Sequence, residues 1–355
     1  MGWPRVSILW LNYNSGRFLD VVLDSLRGVA ELDYPDYELV VVDNGSTDGS
    51  NRAVREFVER WRGRGGRAKF IQLDRNLGFT GGNNVAFRAR DRESKYVVLL
   101  NNDAVPEPGS LRTLVEYLER DGRLGACQGV VVKYGDPSVV DTAGDFLDEL
   151  LRPMALFEGR RGQPLSRPIY ITYPDGSYSI YRVEAVRRAV GGERLFDDWA
   201  FAYFDDNVLG LRLWNAGYRV ISVPVVAGRH RRSATFGWAS PFQLYHAFKG
   251  KIALLRITNL RRRRLVWAFY AKVLARHTLV PQYARLAWKA YIDGWRLGGR
   301  LAKAGAVLDI YKAPVVKLDA GDIYMALFRR ASLLRVLGEE RLLRLIRGGV
   351  LTYVG

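Results

Sequence analysis

Carboxylate and amide side chains cluster at a few points of this chain, with spacings that suit work on a phosphorylated ligand. Asn12-Tyr13-Asn14, Asp43-Asn-Gly-Ser-Thr-Asp48, Asp74-Arg-Asn-Leu-Gly78 and Asn101-Asn102-Asp103 each close an apolar run. A carboxylate at such a point can accept hydrogen bonds from a nucleobase or ribose. Asp103 can hold a divalent ion against a diphosphate, because hard cations take oxygen ligands and keep waters and substrate oxygens. Farther on, the adjacent acids Asp205 and Asp206 split their proton affinities, so that one is poised to take a proton. His230 sits among Arg229, Arg231 and Arg232, a setting for an anion or a metal-diphosphate. Each motif also has a plain structural reading. The Asp43 segment suits a tight turn and helix cap, the acid pair suits a helix start beside the positive end of the macrodipole, and His230 suits a basic surface. No Walker lysine follows the Asp43 turn, and Gly78-Phe-Thr-Gly81 lacks the full dinucleotide fingerprint. ATPase and nicotinamide chemistry are therefore set aside.

The elements that must position these residues alternate. Apolar runs at 6–12, 38–43, 69–73 and 96–100 read as buried strands, and helical spacing predicts helices over 18–26, 48–61, 81–90 and 108–120. Strands apolar throughout and alternating with helices argue for a mostly parallel sheet covered on both faces. Ligands of such sheets sit beyond the carboxyl ends of the strands, which is where the four polar motifs fall. Residues 126–226 carry Gly and Pro punctuation and short β-like pieces at 128–133, 170–173 and 178–182. Asp205 and Asp206 open a helix that Gly217 stops.

The chain has 355 residues, of which 48% are hydrophobic and 12% aromatic, enough for a sizeable core. Its length suits one large domain with an appendage, or two domains. A single cysteine, Cys127, excludes a disulfide framework and a cysteine zinc cluster. There is no uncharged apolar run of about 18 residues, and no leader is read before the first strand. The expected location is cytoplasmic. Charge is uneven: from Arg229 onward there are 25 Lys and Arg against 6 Asp and Glu, a net of +19, whereas the first 228 residues carry −2. Between 283 and 303, Trp288, Tyr291 and Trp295 share one helical arc beside Arg285, Lys289, Arg296 and Arg300. Aromatics beside a basic row describe a helix on an anionic lipid surface; the competing reading docks the aromatics on the protein. Val266, Tyr270, Val273 and Leu274 make a similar apolar face, and 333–347 repeats Leu and Arg. No recognised nucleic-acid fold accompanies the charge, so no nucleic acid is expected as a partner.

Val6-Ser-Ile-Leu-Trp-Leu-Asn-Tyr-Asn14, Leu39-Val-Val-Val-Asp-Asn-Gly-Ser-Thr-Asp48 and Asn76-Leu-Gly-Phe-Thr-Gly-Gly-Asn-Asn84 resemble the opening motifs of family 2 glycosyltransferases. Leu99-Leu-Asn-Asn-Asp103 is similar to that family's Asp-x-Asp region. Gly191 to Asp198, Tyr203-Phe-Asp-Asp206 and Leu211-Arg212 resemble its Glu-Asp motif, and His230-Arg-Arg-Ser-Ala-Thr235 its His segment. The resemblance covers residues 4–250, with the motifs in the family's order, and is nearest the rhamnosyltransferase and galactofuranosyltransferase branch.

It implies a GT-A fold, a Rossmann-like α/β arrangement, over 1–240, with a nucleotide-sugar half (1–125) and an acceptor half (126–240). Residues 241–355 would form a basic α-helical region on the membrane. The implied reaction is metal-dependent inverting transfer, with Mg²⁺ or Mn²⁺, from a nucleotide-diphosphate-sugar to a hydroxyl of a glycan or lipid-linked acceptor. The protein would then be peripheral on the cytoplasmic face of the membrane. Carried over residue by residue, Asp43 would contact the donor base, with Asn12, Tyr13, Asn76, Gly78, Asn83 and Asn102 shaping the donor pocket. Asp103 and His230 would hold the metal, and Asp206 would be the base, supported by Asp205. Asn101 stands where Asp-x-Asp sequences carry their first acid, and Val208 where the Glu-Asp motif commonly adds another. Those two departures support the alternative, a non-catalytic nucleotide-sugar or anionic-lipid binder on a decayed scaffold. A nucleotidyltransferase would need a Gly-rich loop with Arg and Lys near the N-terminus, which Leu11-Asn-Tyr-Asn-Ser-Gly16 is not.

Overall fold

The computed structural model describes residues 2–232, 240–328 and 332–354. The first half follows the predicted alternation: β1 (Val6–Asn12), α1 (Leu19–Ala30), β2 (Tyr37–Asp43), α2 (Ser50–Gly63), β3 (Ala68–Gln72), α3 (Gly78–Ala89), β4 (Tyr96–Asn101), β5 (Ala104–Pro106) and α4 (Ser110–Arg120). The middle holds β6 (Leu124–Lys133), β7 (Asp136–Thr142), β8 (Asp145–Leu147), β9 (Pro153–Ala155), β10 (Ile169–Tyr170), β11 (Tyr178–Arg182), α5 (Val183–Val190), α6 (Asp205–Asn215) and β12 (Arg219–His230). The rest is helical: α7 (Pro241–Ile257), α8 (Arg263–Thr278), α9 (Pro281–Lys303), α10 (Ala320–Phe328) and α11 (Ser332–Arg347). The Ser233 to Thr235 part of the His segment lies outside the described residues.

The main sheet runs β10-β12-β6-β11-β4-β1-β2-β3. Its first-half strands β3, β2, β1 and β4 are parallel and in register, with Asn12 opposite Asp43 and Leu11 opposite Asn101. That register is why the polar strand ends meet. β11 enters antiparallel between β4 and β6, and β12 lies parallel to β6. Alternate β1 residues serve opposite faces, as the strand period requires. Ile8 and Trp10 pack with Leu26 of α1, Val54 of α2 and Leu114 of α4, while Leu9 joins Phe87 of α3 in the other core.

The helices after residue 241 share that second core. Leu254, Phe269 and Leu308 cluster with Val130, Phe146 and Leu211. The Tyr270 hydroxyl donates to the Leu150 carbonyl at 2.6 Å, and buried Glu149 accepts from the Tyr311 hydroxyl at 2.7 Å and the Leu318 amide at 2.8 Å. The Val266, Tyr270 and Leu274 face is buried in the protein, so it is taken by packing and not free for lipid.

Candidate active site at the carboxyl ends of the strands

Asn12, at the end of β1, is fully buried and donates to Asp43 Oδ2 at 2.7 Å, Ser50 Oγ at 3.1 Å and Ser46 Oγ at 3.3 Å. Asp43 also accepts from the Ser46 amide at 2.9 Å and Gln72 Nε2 at 2.5 Å. A carboxylate offers about four acceptor positions, so three protein donors leave room for one more. Tyr13 is half-buried on the loop that follows. Asn76 accepts from the Gly78 amide at 2.7 Å and from Asn44 Nδ2 at 2.9 Å, and Asn44 also receives the Leu77 amide. Asn102 reaches Asn12 across the sheet at 3.5 Å. Asn83 is buried against the Phe79 carbonyl, with its Oδ1 unpartnered among the described residues.

Gly78 has φ +78°, and a Cβ there would overlap the Phe201 carbonyl and ring. Nearby, the Thr80 hydroxyl donates to the Ala200 carbonyl, so the start of α3 carries the loop that leads to Asp205. Gly49 has a similar φ, +84°, but open space around it. Gly49→Ala therefore reports the backbone cost alone, somewhat over ~1 kcal/mol at a left-handed position. Gly78→Ala should lower stability measurably further in denaturant titration; equal losses would show that Phe201 yields freely.

The second cluster centres on His230. β12 pairs antiparallel with the three-residue strand β5, placing His230 opposite Ala104 and so beside Asp103. β7 folds back on β6 and brings Asp141 to the other side of the ring. His230 Nε2 lies 3.2 Å from Asp103 Oδ1, and Nδ1 lies 2.9 Å from Asp141 Oδ2. Burial disfavours the imidazolium, but Asp103 and Asp141 outweigh it and push His230 up to about 10. Arg232 closes the group, with Nε 2.9 Å from Asp141 and a terminal nitrogen 3.0 Å from Glu158.

Among the described residues no group of three or more His, Cys, Asp or Glu is arranged to hold a metal. The Asp103–His230 pair nevertheless fits one. A carboxylate oxygen and an imidazole nitrogen that face each other are donors such an ion takes, with its other positions left to waters and substrate phosphates. His230 must give up its Nε2 proton first, so cation affinity rises with pH.

The third cluster opens α6. Tyr203 and Phe204 both have left-handed φ, 63° and 67°, a strained approach that delivers two acids to the helix start. Asp206 Oδ2 accepts the Gly176 amide at 3.2 Å, while Oδ1 is buried with no partner among the described residues. A Cβ on Gly176 would stand 3.0 Å from both carboxylate oxygens, so a glycine is what lets that amide approach. Burial, then repulsion from Asp205, Asp175 and Asp145, raises Asp206 well above the usual carboxylate range. Burial and Asp175 push Asp205 up to about 6. Asp145 and Asp175 also act on Arg232, joining this cluster electrostatically to the His230 group.

Sequence reasoning passed over Asn44, Asn84, Asp141, Asp145 and Asp175. Asn84 accepts the Leu195 and Phe196 amides at 2.9 and 2.8 Å and so anchors the segment before Asp205. Both asparagines stand within quoted motifs, which was the available signal; the three acids carried none.

The model of the family described as glycosyl transferase family 2 matches residues 7–189. The chain is 26% identical over 253 residues to an N-acetylglucosaminyl-diphospho-decaprenol L-rhamnosyltransferase of Mycobacterium tuberculosis, covering 65% of this chain and 77% of the relative. It is 27% identical over 124 residues to the poly-beta-1,6-N-acetyl-D-glucosamine synthase of Staphylococcus epidermidis, covering 35% of this chain and only 28% of that relative. The fold is similar to that of the mannosyltransferase PcManGT from Pyrobaculum calidifontis, solved in complex with GDP-Man and Mn²⁺. The TM-score is 0.52 at 21% identity, over 85% of this chain and 79% of that one. The parallel half-sheet, the helices on both faces and the C-terminal helical region agree with the GT-A expectation. With the match spanning more than half its length, the chain belongs to glycosyl transferase family 2.

Proposed function

We propose that the protein is a metal-dependent inverting glycosyltransferase, moving a sugar from a nucleotide-diphosphate-sugar to a hydroxyl of a glycan or lipid-linked acceptor. The observation that carries this reading is the Asp103–His230–Asp141 line, a carboxylate and an imidazole facing each other with a second carboxylate on the far ring nitrogen. Similarity to a transferase whose name specifies a diphospho-decaprenol substrate, and to one solved with GDP-Man and Mn²⁺, supports the donor, acceptor and cofactor classes.

In this reading Asn12, Tyr13, Asp43, Asn76, Gly78, Asn83 and Asn102 form the donor pocket. The nucleotide-sugar half spans 1–125 and the acceptor half 126–240. Asp103 and His230 would hold Mg²⁺ or Mn²⁺, which when bound would stabilise the negative charge growing on the leaving diphosphate. Asp206 Oδ1 receives the acceptor's hydroxyl proton as the acceptor oxygen bonds to the anomeric carbon and the diphosphate departs from the opposite face. One displacement inverts the configuration. Asp205 helps keep Asp206 basic. An anionic membrane surface, on the cytoplasmic face, is the proposed setting; no described helix is long and apolar enough to cross a membrane. The test is hydrolysis of a panel of nucleotide-sugars with and without Mg²⁺ or Mn²⁺, with the product anomer read by NMR. Metal-stimulated release of the inverted sugar is expected, and no hydrolysis of any donor would leave only the binding-protein reading.

Asp141 acts here as a positioning residue. Metal-bound histidines commonly donate their other N–H to a carboxylate, which fixes the tautomer, and losing such a partner costs ~10–100-fold in metal affinity. Asp141→Asn should weaken Mn²⁺ binding by that factor in calorimetry, with little change in nucleotide affinity measured without metal. Unchanged Mn²⁺ affinity would assign Asp141 to Arg232 alone.

A further inference from the structure

Helix α9 is seated on α7 by a row of small residues. Ala287, Ala290, Gly294 and Gly298 recur every three or four positions and are buried. A Cβ on Gly294 would come within 2.6 Å of the Lys249 carbonyl, and one on Gly298 within 2.8 Å of the Ala253 carbonyl. The helix is therefore locked in rotation: Leu297 is buried with the small residues, Tyr291 packs against Phe248, and the other large side chains of this stretch are turned outward. Trp288, Ile292 and Trp295 remain 48%, 41% and 43% exposed. They form an ordered wall. Tyr291 and Trp295 stack at 14°, Trp267 meets Trp295 edge-on at 5.1 Å, and the Arg256 guanidinium lies 4.1 Å over the Trp295 ring.

Beside this wall is an open groove of about 580 Å³ lined by Ala284, Arg285, Trp288, Lys289, Ile292, Asp293 and Arg296. Lys289 is neutralised by Asp293 at 2.6 Å. The net positive charge therefore comes from Arg285 and Arg296, both exposed and without a carboxylate partner among the described residues. Eleven residues apart, they share one helical face and stand ~16 Å from each other along the axis. A single phosphate or diphosphate is far too short to bridge them. A sheet of anionic headgroups is not, and the Trp and Ile between them belong at the headgroup boundary.

We propose that the α9 groove docks on the anionic phospholipid surface of a bilayer and turns the catalytic cleft toward it. This rests on the transferase reading above and deepens it, because it makes the acceptor a molecule carried in the membrane. The connection to the cleft is short. The Tyr245 hydroxyl of α7 donates to Asp293 Oδ2 at 2.5 Å, Tyr245 packs on His246, and His246 stacks on Phe201 at 5.1 Å. Phe201 is the residue whose carbonyl faces Gly78.

The test is co-sedimentation of the full chain with vesicles of phosphatidylglycerol and phosphatidylcholine, or of phosphatidylcholine alone. Binding should require phosphatidylglycerol and fall at least ~30-fold in Arg285→Glu/Arg296→Glu, the factor for ~2 kcal/mol at ~1 kcal/mol per basic residue. Trp288→Ala/Ile292→Ala should also bind more weakly. Metal-dependent donor hydrolysis in solution, unchanged in both variants, reports that they are folded. Wild-type binding by both variants, or equal binding to phosphatidylcholine alone, would overturn the proposal. Displacement by millimolar inorganic phosphate would do so as well, by pointing to a discrete anion site. Vesicle binding without donor hydrolysis would instead count against the transferase reading and leave the docking surface standing.

Discussion

Asp206→Asn lowers glycosyl transfer by at least ~10²-fold while donor affinity stays near the wild-type value, the pattern of a lost general base. The asparagine keeps an acceptor for the Gly176 amide but cannot take a proton at the position of Oδ1, which is buried without a partner among the described residues. The pH dependence gives a second readout. Asp206 is held well above the ordinary carboxylate range, first by burial and then by Asp205, Asp175 and Asp145. The rising limb of kcat/KM in the wild type should therefore lie above that range, belong to the coupled Asp205–Asp206 pair, and vanish in the variant. Stability should move the other way. Between the unfolded and folded pKa values the native state binds more protons than the unfolded chain, so native stability falls as pH rises through that window. The variant lacks this term, so its Tm should exceed the wild type's at pH 8, with the gap closing near pH 4. An Asp205→Asn variant that is inactive beside an active Asp206→Asn would reassign the base within the pair.

Asp103→Ala abolishes metal-dependent donor binding. At the proposed site the ion would be left with one protein ligand, His230, and would lose the anionic one. Mn²⁺ calorimetry in the presence of the nucleoside diphosphate should show no saturable binding at concentrations that saturate the wild type. The histidine answers too. Asp103 is the leading cause that raises His230 to about 10 against burial, so its removal lowers that value. With the proton held less tightly, the ring titrates nearer neutrality, which NMR of the imidazole can follow. Wild-type transfer that persists in excess chelator would remove the metal from the mechanism.

Much of the site was legible because the signals were local. A buried parallel strand needs an unbroken apolar run, and the chain must turn polar where it leaves the sheet, so Asn12, Asp43 and Asp103 were marked by what precedes each of them. The parallel register then places Asn12 opposite Asp43 without further information. The acids that open α6 were marked in the same way, by a helix start and the Gly217 stop, which has φ +91°.

What the sequence by itself determined is thus the alternation of strand and helix, the polar strand ends, the acid pair and the basic C-terminal third. Only the tertiary structure decided which distant groups face them. Asp141 meets His230 because β7 returns antiparallel on β6 while β12 runs parallel beside it, a pairing of segments 89 residues apart. Burial first, and then Asp175 and Asp145 beside the neighbouring Asp205, raise the proton affinity of Asp206 in a desolvated space that no spacing rule encodes. Periodicity likewise put Trp288, Tyr291 and Trp295 on one side of α9, but could not say whether that side faced protein or solvent. Close approach to α7 decided it, since the Ala and Gly row lets the two backbones come together, which leaves Trp288 and Trp295 outside and turns Tyr291 against Phe248.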